Sequence, residues 1–228
     1  MNHLASSKLT SHRIGPRRLK AVLTVPEHSA ESLVTGLVVF AHGSDSSCVS
    51  PRNEHIANRL RQSGMATLLF DFLTESESSE RDNSFKPSLL AERLGEAITW
   101  AQQQPELQAL PLGLFGSGTG MSAVIVYAAD HPTTVQTIVG RGGRTDLASP
   151  WLTHVTAPAL FIVGDSDRSV LSANQAACRS VAGTSRLEVI AGASHLFSET
   201  GKLDEVAELA ADWFAKRLTQ AATEPATD

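Results

Sequence analysis

Short apolar runs punctuate the sequence, too continuous for strands with one solvated face and too short for helices. Residues 35–41 (TGLVVFA) form such a run, and residues 66–71, 111–115 and 159–163 read the same way. Runs of this kind predict strands buried on both faces. Residues 19–25, closed by Pro26, with 135–139 and 186–190, complete the strands. Between them lie helix signals. Ser50-Pro51 places a cap residue and then Pro at the first helical position, and this helix stops at Gly64. Pro87 opens a second helix to about residue 104, and residues 119–130, 171–181 and 203–218 read as three more. Strand and helix alternate about seven times, which predicts an α/β fold: a mostly parallel central sheet of about seven strands with helices on both faces.

A chain of 228 residues suits one domain of this type. We expect a flexible start over 1–16, the domain over 17–218 and a flexible tail over 219–228. The connections leave no room for a large cap domain. The acidic, Ser-rich stretch 74–83, within a loop spanning 73–86, is the one candidate lid. The net charge of −5 and the lack of a dense basic block argue against nucleic acid or a membrane surface as partner. Arg13, Arg17, Arg18 and Lys20 read as a solvated lead-in to the first strand. Cys48 and Cys178 make no disulfide framework. With no apolar signal core and no span of about 18–20 apolar residues, a cytoplasmic protein acting on a small molecule is expected. Oligomeric state is not legible.

Residues 116–120 read Gly-Ser-Gly-Thr-Gly directly after a strand. A nucleophile held on a strained strand-to-helix turn needs small residues two places to either side. Centred on Gly118, the flanks are Gly116 and Gly120, and the pattern fits. Centred on Ser117 or Thr119 it fails, because Phe115 or Met121 takes a flank. The position that should carry Ser, Cys or Asp therefore carries Gly118. The stretch lacks the spacing and distal acid of a dinucleotide fingerprint. No cofactor is expected, and the remaining histidines (His3, His12, His28, His55, His131, His154) show no metal-ligand spacing.

In sheets of this kind ligands bind beyond the carboxyl ends of the strands, and reactive residues fall there. His42-Gly43-Ser44 follows the 35–41 strand, so the amides of Ser44 and Thr119 can form an oxyanion hole. Asp165 and Asp167 follow the 159–163 strand, and either qualifies to orient a histidine. His195 follows the last strand in a loop of small residues, where a general base would stand. Arg141 and Arg144 can hold a substrate carboxylate or brace their loop. His42 and Cys48 are further candidates for substrate contact, Cys48 with the alternative of being a plain loop residue.

The chain resembles the small α/β-hydrolases of the dienelactone hydrolase-like group over residues 17–217. The resemblance is carried by VVFAHGSDSS (38–47), SPRN (50–53), ATLLFDFLTE (66–75), GLFGSGTG (113–120), RGGRTDLA (141–148), LFIVGDSDRSV (160–170) and GASHLFSETG (192–201). It implies an α/β-hydrolase fold and ester or lactone hydrolysis. Members usually read Gly-Ala-Ser-Thr-Gly at the turn, which puts their serine at Gly118. Their acid stands in a Gly-x-x-Asp-x-x-Val frame, matching Gly164, Asp167 and Val170, and their histidine matches His195. Dienelactone hydrolases proper carry Cys at the nucleophile. The departure is confined to Gly118, and three readings follow: a hydrolase altered at one residue and nearly inactive as written; a lyase, isomerase or cyclase using His195 as acid and base; or a ligand-binding pseudoenzyme.

Overall fold

A computed structural model of the chain describes residues 7–27, 34–44 and 46–223, with side chains to residue 219. Residues 1–6 and 224–228 of the expected flexible ends, with His3 and His28, lie outside the described residues. The strands are β1 (Ser7–Ile14), β2 (Leu19–Pro26), β3 (Gly36–Ala41), β4 (Met65–Phe70), β5 (Leu112–Ser117), β6 (Val135–Arg141), β7 (Ala159–Gly164) and β8 (Ser185–Ile190). They form one sheet in the order β1-β2-β4-β3-β5-β6-β7-β8. β2 pairs antiparallel with β1 and with β4, and every other pair is parallel. Each residue of β3, β4, β5 and β7 is buried, as their unbroken apolar runs require.

The helices are α1 (Pro51–Gln62), α2 (Glu75–Ser79), α3 (Pro87–Gln102), α4 (Gly120–Asp130), α5 (Arg168–Ser180) and α6 (Lys202–Thr223). One core, around Phe40, Ile56, Phe115 and Phe214, lies under α1 and α6. The other, around Leu94, Ile98, Val124 and Phe161, lies under α3 and α4 and reaches Ala177 of α5. The order reverses between β3 and β5. Their carboxyl ends therefore open a crevice at a topological switch point, where an α/β sheet binds its ligand. No large cap covers it. No helix among the described residues is long and apolar enough to cross a membrane.

Four expectations need correction. Residues 7–14, expected to be frayed, form β1, paired along its whole length from Ser7 opposite Pro26 to Ile14 opposite Leu19. Only Ile14 of this edge strand is buried, so no apolar run announces it; the register is closed by a turn in which the Arg18 amide donates to the Gly15 carbonyl at 3.1 Å. The strand count is eight rather than about seven for the same reason. The 74–83 segment is not a loop: α2 opens on a capping box between Thr74 and Glu77 and is followed by a 3-10 helix, Arg81–Phe85. The last helix runs five residues beyond 218, through Thr223.

Candidate active site

The turn from β5 into α4 has the backbone of a nucleophile elbow. Gly118 stands at φ +52°. A Cβ on Gly120 would sit 2.2 Å from the Ala41 carbonyl oxygen, and one on Gly116 would sit 2.7 Å from the Met121 Cα. Both flanking glycines are therefore sterically obligatory. Position 118 differs: its Cβ would meet only the Gly43 Cα, at 3.4 Å, an ordinary contact. The turn is pinned through the Gly118 carbonyl, which accepts from the amides of Arg144 (2.9 Å) and Met121 (3.2 Å).

Gly118 opens onto a cavity of about 610 Å³ that is also lined by Ser44, Thr119, Asp167 and His195. Asp167 caps α5, and its Oδ2 lies 2.6 Å from His195 Nδ1, while its Oδ1 accepts from the Val170 amide at 3.5 Å. The cap and the charge partner of the histidine are thus the same carboxylate. Asp165 is exposed and accepts instead from the Ser166 hydroxyl at 3.1 Å. With Nδ1–H donated to Asp167, the lone pair of His195 Nε2 is left for a proton. The ring lies against Gly142, whose Cβ would stand 3.4 Å from His195 Cε1. Its loop is fixed by the Ser194 amide on Glu199 Oε2 (3.1 Å) and by Phe197, which is 1% exposed. Neither the Ser44 nor the Thr119 amide is committed to another acceptor among the described residues. Both remain free for an oxyanion.

His42 and Cys48 do not line this cavity. His42 Nδ1 donates to the Gly43 carbonyl at 2.8 Å, which shapes the oxyanion loop. Burial holds its pKa below the ordinary value, so the ring is neutral. It faces a smaller cavity of about 200 Å³, with Asp71 and Phe72. Cys48 is 6% exposed, and its backbone amide donates to Asp71 Oδ1 at 2.6 Å. Burial, then the Asp71 carboxylate, push its thiol up to about 12. Its expected substrate contact is not found: a protonated thiol outside the cavity is neither ligand nor nucleophile.

The arginines divide unexpectedly. Arg144 is spent on Asp146 in a bidentate pair, 2.8 and 2.7 Å. Arg141, at the end of β6, is 8% exposed, and its Nη1 has no hydrogen-bond partner among the described residues. Arg52, in the first turn of α1, lines the same cavity and has a buried, unpartnered Nε. Burial, then the Arg52 charge, lower Arg141 to about 10, which leaves it cationic at neutral pH. In the sequence Arg52 falls in a helix start and in the SPRN stretch of the family resemblance, with no role assigned to it; nothing local marks it as facing a strand end 89 positions away (141 − 52). Sequence reasoning also missed Phe85 and Leu196, the apolar residues at the cavity mouth.

No family model matches the chain. It is 43% identical to a dienelactone hydrolase from Anabaena variabilis of known crystal structure, superposing with a TM-score of 0.85 over 94% of this chain and 99% of that one. Est1E from Butyrivibrio proteoclasticus shares the fold at 14% identity, with a TM-score of 0.77 over 92% and 98% of the two chains. A Mycobacterium tuberculosis protein provisionally named a phosphoribosyl transferase, found in two strains, is 48% identical over 204 residues, 90% of this chain. The chain spans 45% of the length of those curated relatives.

Proposed function

Since the chain belongs to the dienelactone hydrolase family of α/β-hydrolases, we propose that it is a carboxylic-ester or lactone hydrolase scaffold with its nucleophile position occupied by glycine. As written, it is inactive or nearly so as a hydrolase. One observation carries this reading: Gly118 holds the elbow conformation with room for a side chain, opposite a hydrogen-bonded Asp167–His195 pair. An acyl carbonyl in the cavity would point its oxygen at the Ser44 and Thr119 amides. Each such donor contributes roughly 3–4 kcal/mol to the tetrahedral transition state. His195 Nε2 would take the proton of an attacking hydroxyl, and Asp167 would stabilise the imidazolium. Without that hydroxyl, about 10⁶ in turnover is lost, leaving the residual rate that the oxyanion hole supports.

The name of the mycobacterial relatives is not carried over. It belongs to proteins about twice this length, and the Asp167–His195 pair beside Gly118 supports the acyl-chemistry reading instead. A second reading, ligand binding or non-hydrolytic acid–base chemistry, draws support from the uncommitted Nε2 of His195 and from the buried Arg52 and Arg141 nitrogens that have no hydrogen-bond partner among the described residues. The deciding experiment compares hydrolysis of p-nitrophenyl acetate and butyrate by the chain, by Gly118→Ser and by Gly118→Ser/His195→Ala. We expect serine to raise turnover by about 10³-fold or more and loss of His195 to remove the gain. A folded Gly118→Ser protein inert towards both esters and a lactone panel would sink the hydrolase reading. Turnover by the unmodified chain that vanishes in His195→Ala would support acid–base chemistry by His195 and exclude a ligand-binding pseudoenzyme.

A further inference from the structure

We propose that the cavity beside Gly118 binds a phosphate monoester, its phosphoryl group held between Arg52 and Arg141. A guanidinium carries donors only and cannot shed its proton at neutral pH, so a buried one without an acceptor is costly. Arg141 is such a group and the half-buried Arg52 stands beside it, each with a buried nitrogen that has no hydrogen-bond partner among the described residues. Of the other charged residues described in the cavity, Arg144 is paired with Asp146, and the Asp167 carboxylate is held by the hydrogen bond from His195. Neither Arg52 nor Arg141 has a carboxylate partner among the described residues, in a chain whose net charge is −5. The depressed pKa of Arg141 has the same origin, burial and the neighbouring Arg52. A monocarboxylate would neutralise one of the two. A phosphate monoester carries about −1.5 to −2 and three acceptor oxygens, which matches a pair of guanidinium forks. Ser44 and Ser46 line the same cavity, and Phe85 and Leu196 offer apolar surface to the rest of the ligand. The anion site stands on the charges alone, but for its ligand to be a substrate the proposal rests on the hydrolase reading above.

The test is calorimetric titration of the full chain with phenyl phosphate, inorganic phosphate, benzoate and glutarate at constant ionic strength. We expect saturable binding of phenyl phosphate, at least tenfold tighter than benzoate and tighter than glutarate. Arg141→Gln and Arg52→Gln should each weaken it at least tenfold. Arg52 is only half-buried, so Arg52→Gln keeps the test decisive if Arg141→Gln does not fold. Equal binding of benzoate, tighter binding of glutarate, no saturation by phenyl phosphate, or affinity unchanged in the folded variants would each overturn the proposal. The two readings fail separately. Ester hydrolysis by Gly118→Ser without phosphate binding sinks the anion site, and phosphate binding with an inert Gly118→Ser sinks the hydrolase.

Discussion

Gly118 stands at φ +52°, a conformation that costs a residue with a side chain roughly 1–3 kcal/mol and costs glycine almost nothing. Gly118→Ser should therefore lower stability by about 1–2 kcal/mol even as it creates ester activity. The cost comes from the backbone, since the added Cβ meets an ordinary 3.4 Å contact. Urea denaturation of the two proteins checks this, and an equally stable serine variant would mean that the turn relaxes. Cys48 supplies a pH prediction. Its folded pKa is raised from 9.0 to about 12, so the native chain keeps a proton that the unfolded chain releases above pH 9. The unfolded state then binds fewer protons, and stability falls as pH rises from 9 towards 12. Below pH 9 the contribution is intact. Cys48→Ala should flatten that alkaline slope in urea midpoints taken at pH 8 and pH 10. Asp165 and Asp167 both qualify by residue type and the family resemblance favours Asp167; in the structure the first turn of α5 turns the Asp167 carboxylate to His195 and leaves Asp165 in solvent.

At the scale of elements, the segment 74–85 depends on a charge beneath it. Arg93 of α3 is 2% exposed and donates to Glu77 (2.9 Å), Glu92 (2.6 Å) and Glu96 (3.3 Å). The Thr74 amide and then Arg93 hold the Glu77 carboxyl below its ordinary range. Arg93→Ala should cost about 1–3 kcal/mol, less than a fully buried pair because its glutamates are partly solvated. It should also speed amide exchange across 74–85 relative to the rest of the chain. Exchange unchanged there, with stability lost evenly, would show that the segment is held by other contacts. Helix starts at Pro51 and Pro87 and the stop at Gly64 were legible, because proline and glycine act on their own backbone. The two short 3-10 segments over Thr145–His154, kinked at Ala148, were not. They pack on α4 and α5, and such order comes from neighbours distant in the chain.

Over the whole molecule, two cores share one sheet, and neither can come apart without uncovering the other's strands. Trp213 belongs to the α1/α6 side, where its Nε1 donates to Thr137 Oγ1 at 2.8 Å, and Trp100 packs against the α3/α4 side. Variants keeping only one of these tryptophans should give coincident urea midpoints, as one cooperative transition demands. Separated midpoints would mark the faces as independent units. The sequence by itself determined the alternation of strands and helices, the burial of the central strands and the need for glycine on both sides of position 118. Each of these follows from periodicity or from the reach of one residue's own backbone. Only the tertiary structure decided that Cys48 keeps its proton outside the cavity, and that Arg52 and Arg141 line one pocket with no carboxylate partner among the described residues. Charge balance and burial are sums over neighbours that the fold brings together from distant parts of the chain.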